Sequence, residues 1–336
     1  MRVAINGYGR IGRCVLRAAM ERDDCAALEF VAINELAAPE SLHYLTRYDS
    51  THGRFPGTVE LESGHLALSS GNRHVKPALL AEADPAALPW QQLQIDMVLE
   101  CSGQVTTALQ AQAHLDAGAG HVLLSNPGES GIPVIVCGVN LALLDTSPPL
   151  ASAASCTSNA LIPVLHVLHE AFGISNGVIT TIHASMHDQP VIDAYHSDDL
   201  RKNRAASQSI IPVDTALALG IGRVLPELEG KFAAHAVRVP VNNVSALNIT
   251  LNLNCLTDVT AVNGVLQQAA KTSLEGVMGF TQERLASCDF NHDARSGIID
   301  AQQTLVSENT VNLLVWFDNE WAFANRMLDL LLRYPD

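Results

Sequence analysis

The chain opens on a short continuous apolar run at residues 3–6. Apolar positions then recur at Val15, Leu16 and Ala19 through 11–21, and a second run follows at 28–33. A buried strand, an amphipathic helix and another buried strand within about 30 residues make a β-α-β unit. Further short runs at 97–100, 121–124 and 134–136 predict strands. An Ala/Gln-rich helix over 106–117 lies between the first two and stops at Gly118. This alternation predicts a parallel sheet covered by helices on both faces.

Near residue 150 the pattern changes. Pro148, Pro149 and a Ser/Ala-rich stretch precede a helix over 159–171, with Gly173 placed to end it. Longer alternating runs follow at 177–184, 234–239, 245–254, 287–289 and 310–317, which read as antiparallel strands. Residues 319–333 form an amphipathic helix with Trp321, Met327, Leu328 and Leu331 on one face. The expected fold class is α/β: a Rossmann-type doubly wound parallel sheet plus an α+β domain with a mostly antiparallel sheet.

Composition narrows the partners. With 336 residues, two domains are expected. Hydrophobic residues make up 48%, enough for a well-buried core, which excludes bulk disorder. The formal charge of −15 disfavours nucleic acid and anionic membrane surfaces, since both need a cationic face. Of the 20 basic residues only four are lysines (Lys76, Lys202, Lys231, Lys271), and the arginine majority keeps a small anionic substrate open. Seven scattered cysteines without a C-x-x-C pair argue against a disulfide framework and a structural zinc site. The absence of a signal-peptide core and of any apolar run near ~18 residues predicts a soluble cytoplasmic protein.

Two places carry candidate chemistry. Asn6-Gly7-Tyr8-Gly9-Arg10-Ile11-Gly12 is a G-x-G-x-x-G turn between a strand and a helix. Gly7 suits the tight turn, Gly9 admits a pyrophosphate to the backbone, and Gly12 lets helix pack on strand. Glu35, at the end of the second strand, accepts hydrogen bonds from a ribose diol and repels a 2′-phosphate, which favours NAD over NADP. The second place is Ser155-Cys156-Thr157, just before a helix whose N-terminal N–H groups stabilise a thiolate. His183, in the strand pattern of 177–184, is a candidate base for it. The other six cysteines lie in or beside apolar patterns and read as packing residues.

Along essentially its whole length the sequence resembles the glyceraldehyde-3-phosphate dehydrogenase family. The matching blocks are 6–13, Ala-Ser-Cys-Thr-Ser-Asn (154–159), Thr-Ile-His-Ala (181–184), Ile-Ile-Pro (210–212), 238–245 and Trp-Phe-Asp-Asn-Glu-Trp-Ala-Phe-Ala-Asn-Arg (316–326). The resemblance implies a cofactor domain of 1–154 with 319–336, a catalytic domain of 155–318, NAD as cofactor, and a homotetramer. It implies Cys156 as nucleophile and His183 as base, with Arg10, Ile11 and Ser125 at the dinucleotide and Asn319 at the nicotinamide carboxamide. Ser155, Thr157, Thr215 and Arg238 fall at substrate-binding positions, Arg238 matching a phosphate-binding arginine.

Departures from the family bear on the substrate. Where phosphorylating members carry two phosphate-binding threonines after the catalytic histidine, this chain has Met186 and Asp188; a Thr-Gly pair becomes Thr215-Ala216. Methionine offers no useful hydrogen bond, and aspartate repels a phosphate dianion. With Phe-Asn-His-Asp (290–293), these changes resemble the branch that oxidises D-erythrose 4-phosphate to 4-phospho-D-erythronate, in which water releases the thioester. A longer sugar could place its phosphate at Arg238, Arg201, Lys202 or Arg204. The nearest alternative is a phosphorylating glyceraldehyde-3-phosphate dehydrogenase with a divergent loop. A redox sensor built on Cys156 is a reading of another class.

Overall fold

Strands β1 (Arg2–Asn6) and β2 (Glu29–Asn34) pair in parallel around helix α1 (Arg10–Glu21), as the apolar pattern requires. Val3, Ala4 and Ile5 are fully buried, and α1 buries Val15, Leu16, Ala18 and Ala19. The computed structural model describes residues 1–195 and 197–335; His196 and Asp336 lie outside the described residues. The chain divides into two compact units. One comprises Met1–Ile135, Asn140–Ser155 and Ala324–Asp336, and the other Val136–Val139 and Cys156–Phe323.

In the first unit, β3 (Ala78–Leu80), β4 (Met97–Glu100), β5 (His121–Leu124) and β6 (Leu150–Ser152) complete a parallel set in the order β6-β5-β4-β1-β2-β3. Strand order reverses between β1 and β4, so loops diverge there and leave a crevice at the carboxyl ends. An antiparallel ribbon over 58–75 extends the sheet beyond β3. The helix expected at 106–117 is α2 (Ala108–Asp116), fixed at its start by a Thr107/Gln110 capping box and followed by Gly118 at φ +99°. The run 134–136 is not a strand. Only an isolated bridge joins Val134 to Ser152, because β6 takes the place beside β5; the run is apolar because it is core.

A polar chain crosses the carboxyl ends of four parallel strands. Glu100, fully buried, accepts from Asn6 Nδ2 at 2.5 Å, Ser102 N at 2.8 Å, Ser102 Oγ at 2.5 Å and His114 Nε2 at 3.0 Å. Trp90 Nε1 donates to His114 Nδ1 at 3.0 Å, which places the imidazole proton on Nε2, facing Glu100. Asn6 Oδ1 in turn accepts from Asn34 Nδ2 at 2.7 Å, and Asn34 exchanges hydrogen bonds with the Glu82 backbone, both at 2.9 Å. Every carboxylate lone pair is used, so this buried charge is compensated rather than stranded.

The second unit begins with α3 (Cys156–Phe172), which ends at Gly173 (φ +65°) with the Gly173 N–H donating to His169 O. Its long strands are β7 (Ile174–Ala184), β8 (Phe232–Val239), β9 (Ser245–Leu253) and β10 (Thr310–Phe317), and β7 lies between β8 and β9. The sheet is mixed and mostly antiparallel, with β7 and β8 forming a parallel pair. Alternate residues Ile179, Leu247, Ile249, Leu251, Val311, Leu313 and Val315 are fully buried. The other face carries Asn312 Nδ2 donating to Asn248 Oδ1 and Thr250 Oγ1, both at 2.9 Å. The three-residue run 287–289 is a 3-10 turn (Ser287–Phe290) rather than a strand, with Asp289 Oδ2 accepting from Ala286 N at 2.8 Å. The terminal helix α4 (Trp321–Arg333) starts after Asp318, whose Oδ1 accepts from Glu320 N and Trp321 N. Within the first unit, Arg22 grips this helix through Asn325 and an ion pair to Asp329 at 2.7 Å. No helix among the described residues is long and apolar enough to cross a membrane.

Glu100→Gln tests the polar chain, because an amide nitrogen must face donors already aimed at the carboxylate. Loss of charge-assisted hydrogen bonds of ~1.5–3 kcal/mol each predicts a stability decrease of about 2–4 kcal/mol in urea unfolding. A loss below about 1 kcal/mol would show that the carboxylate does not hold these strand ends.

Candidate active site

The first unit presents its glycine turn at the β1/β4 reversal. Gly7 has φ +88°, and a Cβ there would lie 2.4 Å from the backbone of Ser102. A Cβ on Gly12 would lie 2.3 Å from Gly7 O, so the third glycine permits α1 to close on the turn. Gly9 differs: its φ is −71°, and a Cβ would meet nothing within 4 Å. The open space beside Gly9 adjoins the first turn of α1, whose N–H groups have no intrahelical acceptor; Gly9, at the N-cap, has no side chain to cover them. This arrangement fits a pyrophosphate.

Other expected cofactor residues have defined roles around that turn. Glu35 Oε2 accepts from Tyr8 N at 2.9 Å and Oε1 accepts from Leu36 N at 2.8 Å, which places a carboxylate against the glycine turn at the end of β2. Ile11 stands half-buried in the first turn of α1. The Arg10 guanidinium pairs with both oxygens of Asp49, so its charge is engaged within the first unit. Burial opposes ionisation of Asp49, but Arg10 and the N–H groups of His52 and Thr51 outweigh it and hold the carboxyl below the usual range. Ser125 follows β5, donates its N–H to Glu100 O at 3.0 Å and hydrogen-bonds Cys101 through its side chain. Burial and Glu100 push the Cys101 thiol far up, making it a poor nucleophile.

In the second unit Cys156 is the first residue of α3 and is half-buried. Its Sγ lies 3.7 Å from His183 Nε2 and 3.9 Å from Thr157 Oγ1. Burial raises the thiol above the ordinary cysteine value; the Thr157 hydroxyl, the N–H groups of Thr157 and Cys156, and the Arg238 charge act in the opposite direction. His183, 8% exposed, comes from the end of β7. Burial, then the charge of Arg238, lowers its pKa to about 4, so the imidazole is neutral at neutral pH. Parallel pairing of β7 and β8 sets His183 opposite Arg238, whose Nη1 lies 2.7 Å from His183 Nδ1.

Asn319 and Ser245 complete this half. Ser245 Oγ accepts from Ala184 N at 3.0 Å and donates to Asn319 Oδ1 at 2.9 Å. With its oxygen occupied, buried Asn319 offers its Nδ2 hydrogens to a carboxamide. Val244 precedes Ser245 at φ +64°, a left-handed conformation that costs a β-branched residue roughly 1–2 kcal/mol. It is held there by packing with Phe290 and Ile298. The sequence reading assigned no role to Ser245, Val244, Asp49 or Glu100; a serine opening a strand, or a carboxylate ending one, is too common to stand out.

Of the expected anion-binding residues, only Arg238 is brought to the Cys156–His183 pair. Arg201 lies exposed in the turn Leu200–Asn203, Arg204 pairs with Asp193 at 3.0 Å, and Lys202 approaches Asp188 at 3.7 Å. Thr215 Oγ1 accepts from Leu217 N at 3.2 Å, just before the helix Leu217–Val224. Ser155 immediately precedes Cys156 and is half-buried. The divergent loop is closed by Gln189, whose Oε1 accepts from Met186 N at 3.0 Å. Asp188 acts electrostatically on both His183 and Arg238, and its Oδ1 is buried without a hydrogen-bond partner among the described residues.

Comparison with known families agrees with this geometry. Residues 1–108 match the glyceraldehyde 3-phosphate dehydrogenase NAD binding domain, and residues 155–319 match the C-terminal domain of the same family. The cofactor is therefore NAD, and the space at Gly9 fits its pyrophosphate.

Two sets of outcomes test the site. Gly9→Ala is expected to melt like the wild type but to lose NAD affinity by calorimetric titration, whereas Gly7→Ala loses thermal stability outright; equal NAD affinity in Gly9→Ala would remove the pyrophosphate assignment. Because the folded-state pKa of His183 is depressed, the unfolded chain takes up the proton first. Stability is therefore full above about pH 6.5 and falls toward pH 4, by on the order of 3 kcal/mol. Denaturation of His183→Asn over the same range should lack that component.

Proposed function

Within the glyceraldehyde-3-phosphate dehydrogenase family, to which this chain belongs, we propose that it oxidises D-erythrose 4-phosphate to 4-phospho-D-erythronate and that water releases the product. The observation that carries this reading is Asp188. The loop after His183 presents a carboxylate that acts electrostatically on Arg238 where phosphorylating relatives present threonine hydroxyls, and Met186 adds no donor. A carboxylate accepts hydrogen bonds from sugar hydroxyls and opposes a second phosphate. Such a site favours a four-carbon polyhydroxy aldehyde over inorganic phosphate as attacking partner.

The chemistry follows from the residues at hand. NAD would supply the hydride acceptor, with the glycine turn and Glu35 of the first unit holding it. Cys156 Sγ adds to the aldehyde carbon, and the carbonyl electrons move to oxygen, giving a thiohemiacetal whose oxygen the Cys156 N–H and His183 stabilise. His183 Nε2 takes the hydroxyl proton as the C–H electron pair departs, and a thioester remains. His183 releases that proton to solvent, and water then adds to the thioester carbon as Nε2 takes a proton from it. The C–S bond breaks, and Cys156 is regenerated. The family's homotetramer belongs to this reading.

The deciding experiment measures NADH formation from erythrose 4-phosphate and from glyceraldehyde 3-phosphate, each with and without inorganic phosphate. The expected result is a higher kcat/KM for the four-carbon sugar, unchanged by phosphate. Strict phosphate dependence, or preference for the three-carbon sugar, would replace this reading with the phosphorylating one. Asp188→Thr should raise the phosphate-dependent rate by about tenfold, the equivalent of one hydrogen bond of ~1.4 kcal/mol gained by phosphate in the transition state. Cys156→Ser should abolish turnover, whereas a redox sensor would have little turnover to lose.

A further inference from the structure

One nitrogen in the catalytic unit has two partners that it cannot satisfy together. His183 Nδ1 lies 2.8 Å from Ala184 O, which only accepts, and 2.7 Å from Arg238 Nη1, which only donates. If Nδ1 carries the proton it serves Ala184 and faces an Arg238 N–H. If Nδ1 is bare it serves Arg238, and the proton sits on Nε2, 3.7 Å from Cys156 Sγ. A hydrogen bond donated by a charged guanidinium is stronger than one between neutral groups. The Arg238 partnership therefore prevails while Arg238 has no better acceptor. Among the described residues no carboxylate lies within ion-pair distance of Arg238, and Asp188 acts on it only at longer range. A half-buried cation whose best partner is a neutral imidazole remains available to an anion.

The consequence falls on Nε2. With the proton there, the nitrogen facing Cys156 can donate but cannot take a proton from the thiol or from a thiohemiacetal hydroxyl. We propose that Arg238 is a positioning residue that sets the His183 tautomer. In the resting protein it holds the proton on Nε2. When the phosphate of a bound phosphate ester, or inorganic phosphate, draws the guanidinium away, the proton moves to Nδ1, Ala184 O accepts it, and Nε2 becomes the base. The exchange conserves protons, since solvent or the thiol carries the proton from one ring nitrogen to the other. A bidentate, charge-assisted guanidinium–phosphate pair exceeds the single bond to imidazole, which gives the exchange its direction. The groups acting on His183 are Cys156 from α3, Arg238 from β8 and Asp188 from the following loop, with Phe317 of β10 edge-on at a ring-centroid distance of 6.2 Å. Nearby phosphate thus lowers the opposing positive charge as well as freeing Nε2.

The inference rests on the dehydrogenase reading for its purpose but not for its test, because the tautomer is read in the full-length protein without aldehyde. Long-range proton–nitrogen spectra of histidine-labelled protein identify the protonated ring nitrogen, with the His183 signals assigned by their loss in His183→Asn. The expected resting state has the proton on Nε2. Addition of inorganic phosphate or of erythritol 4-phosphate, a polyol phosphate without an aldehyde, should move it to Nδ1. A shift with either anion supports the proposal, and a shift with the ester alone makes the substrate the trigger. Arg238→Leu should show Nδ1–H without any anion, no response to either one, and a His183 titration midpoint moved up toward 6.5, the ordinary value for histidine. A proton already on Nδ1 in the resting wild type, or no movement with either anion, overturns the proposal. The wild-type titrations decide it even if Arg238→Leu fails to fold.

Discussion

The catalytic half of this protein depends on the register of β7. That strand is held on one side by β8 in parallel and on the other by β9 in antiparallel, so neither edge is free to slide. A slip of one residue would turn His183 to the opposite face of the sheet and carry its neighbours out of the core. The same register sets His183 opposite Arg238 and Ile182 opposite Ala246, with Ser245 next in line to tie Ala184 to Asn319. Cys156 comes from another element, the first turn of α3, and meets His183 only because the sheet holds the histidine in place. The strained backbone at Val244 is part of this arrangement: the packing that keeps it left-handed also delivers Ser245.

The cofactor half solves a different problem. A glycine turn must leave backbone N–H groups open to an anion, so the turn cannot be stiffened by side chains of its own. The stiffness comes from beneath, where Glu100, Asn6 and Asn34 link the carboxyl ends of β4, β1 and β2. Gly7 presses on Ser102, which Glu100 binds twice, so the turn rests on backbone that is itself anchored. Of the three glycines of this turn, Gly9 alone faces open space, which separates the glycine that serves the ligand from those that serve packing.

Charge shows the distance between a global and a local property. The net charge of −15 sets which large partners can approach, because their fields sum over many charges. At Cys156 and His183, two nearby ions decide matters: Arg238, and Asp188 with Lys202 at 3.7 Å behind it. Two of the basic residues at 201–204 are engaged with carboxylates, which leaves Arg238 as the cation in contact with the Cys156–His183 pair.

Much of the molecule was legible in the sequence because its signals are local. The β-α-β unit, the glycine turn, the strand at 310–317, the helix ending at Gly173 and the helix stopped at Gly118 each follow from residues close together along the chain. Short runs were ambiguous for the same reason. Apolar 134–136 is core without being strand, and 287–289 is a turn, since three residues carry too little periodicity to distinguish these states. Cys156 and His183 could be nominated from their types and settings, and family resemblance joined them. Only the tertiary structure decided that His183 Nδ1 lies between Arg238 and Ala184, that Arg10 is committed to Asp49, and that a carboxylate underlies the glycine turn. Those contacts join residues 39, 55 and 94 positions apart, through strand pairing that no local pattern encodes.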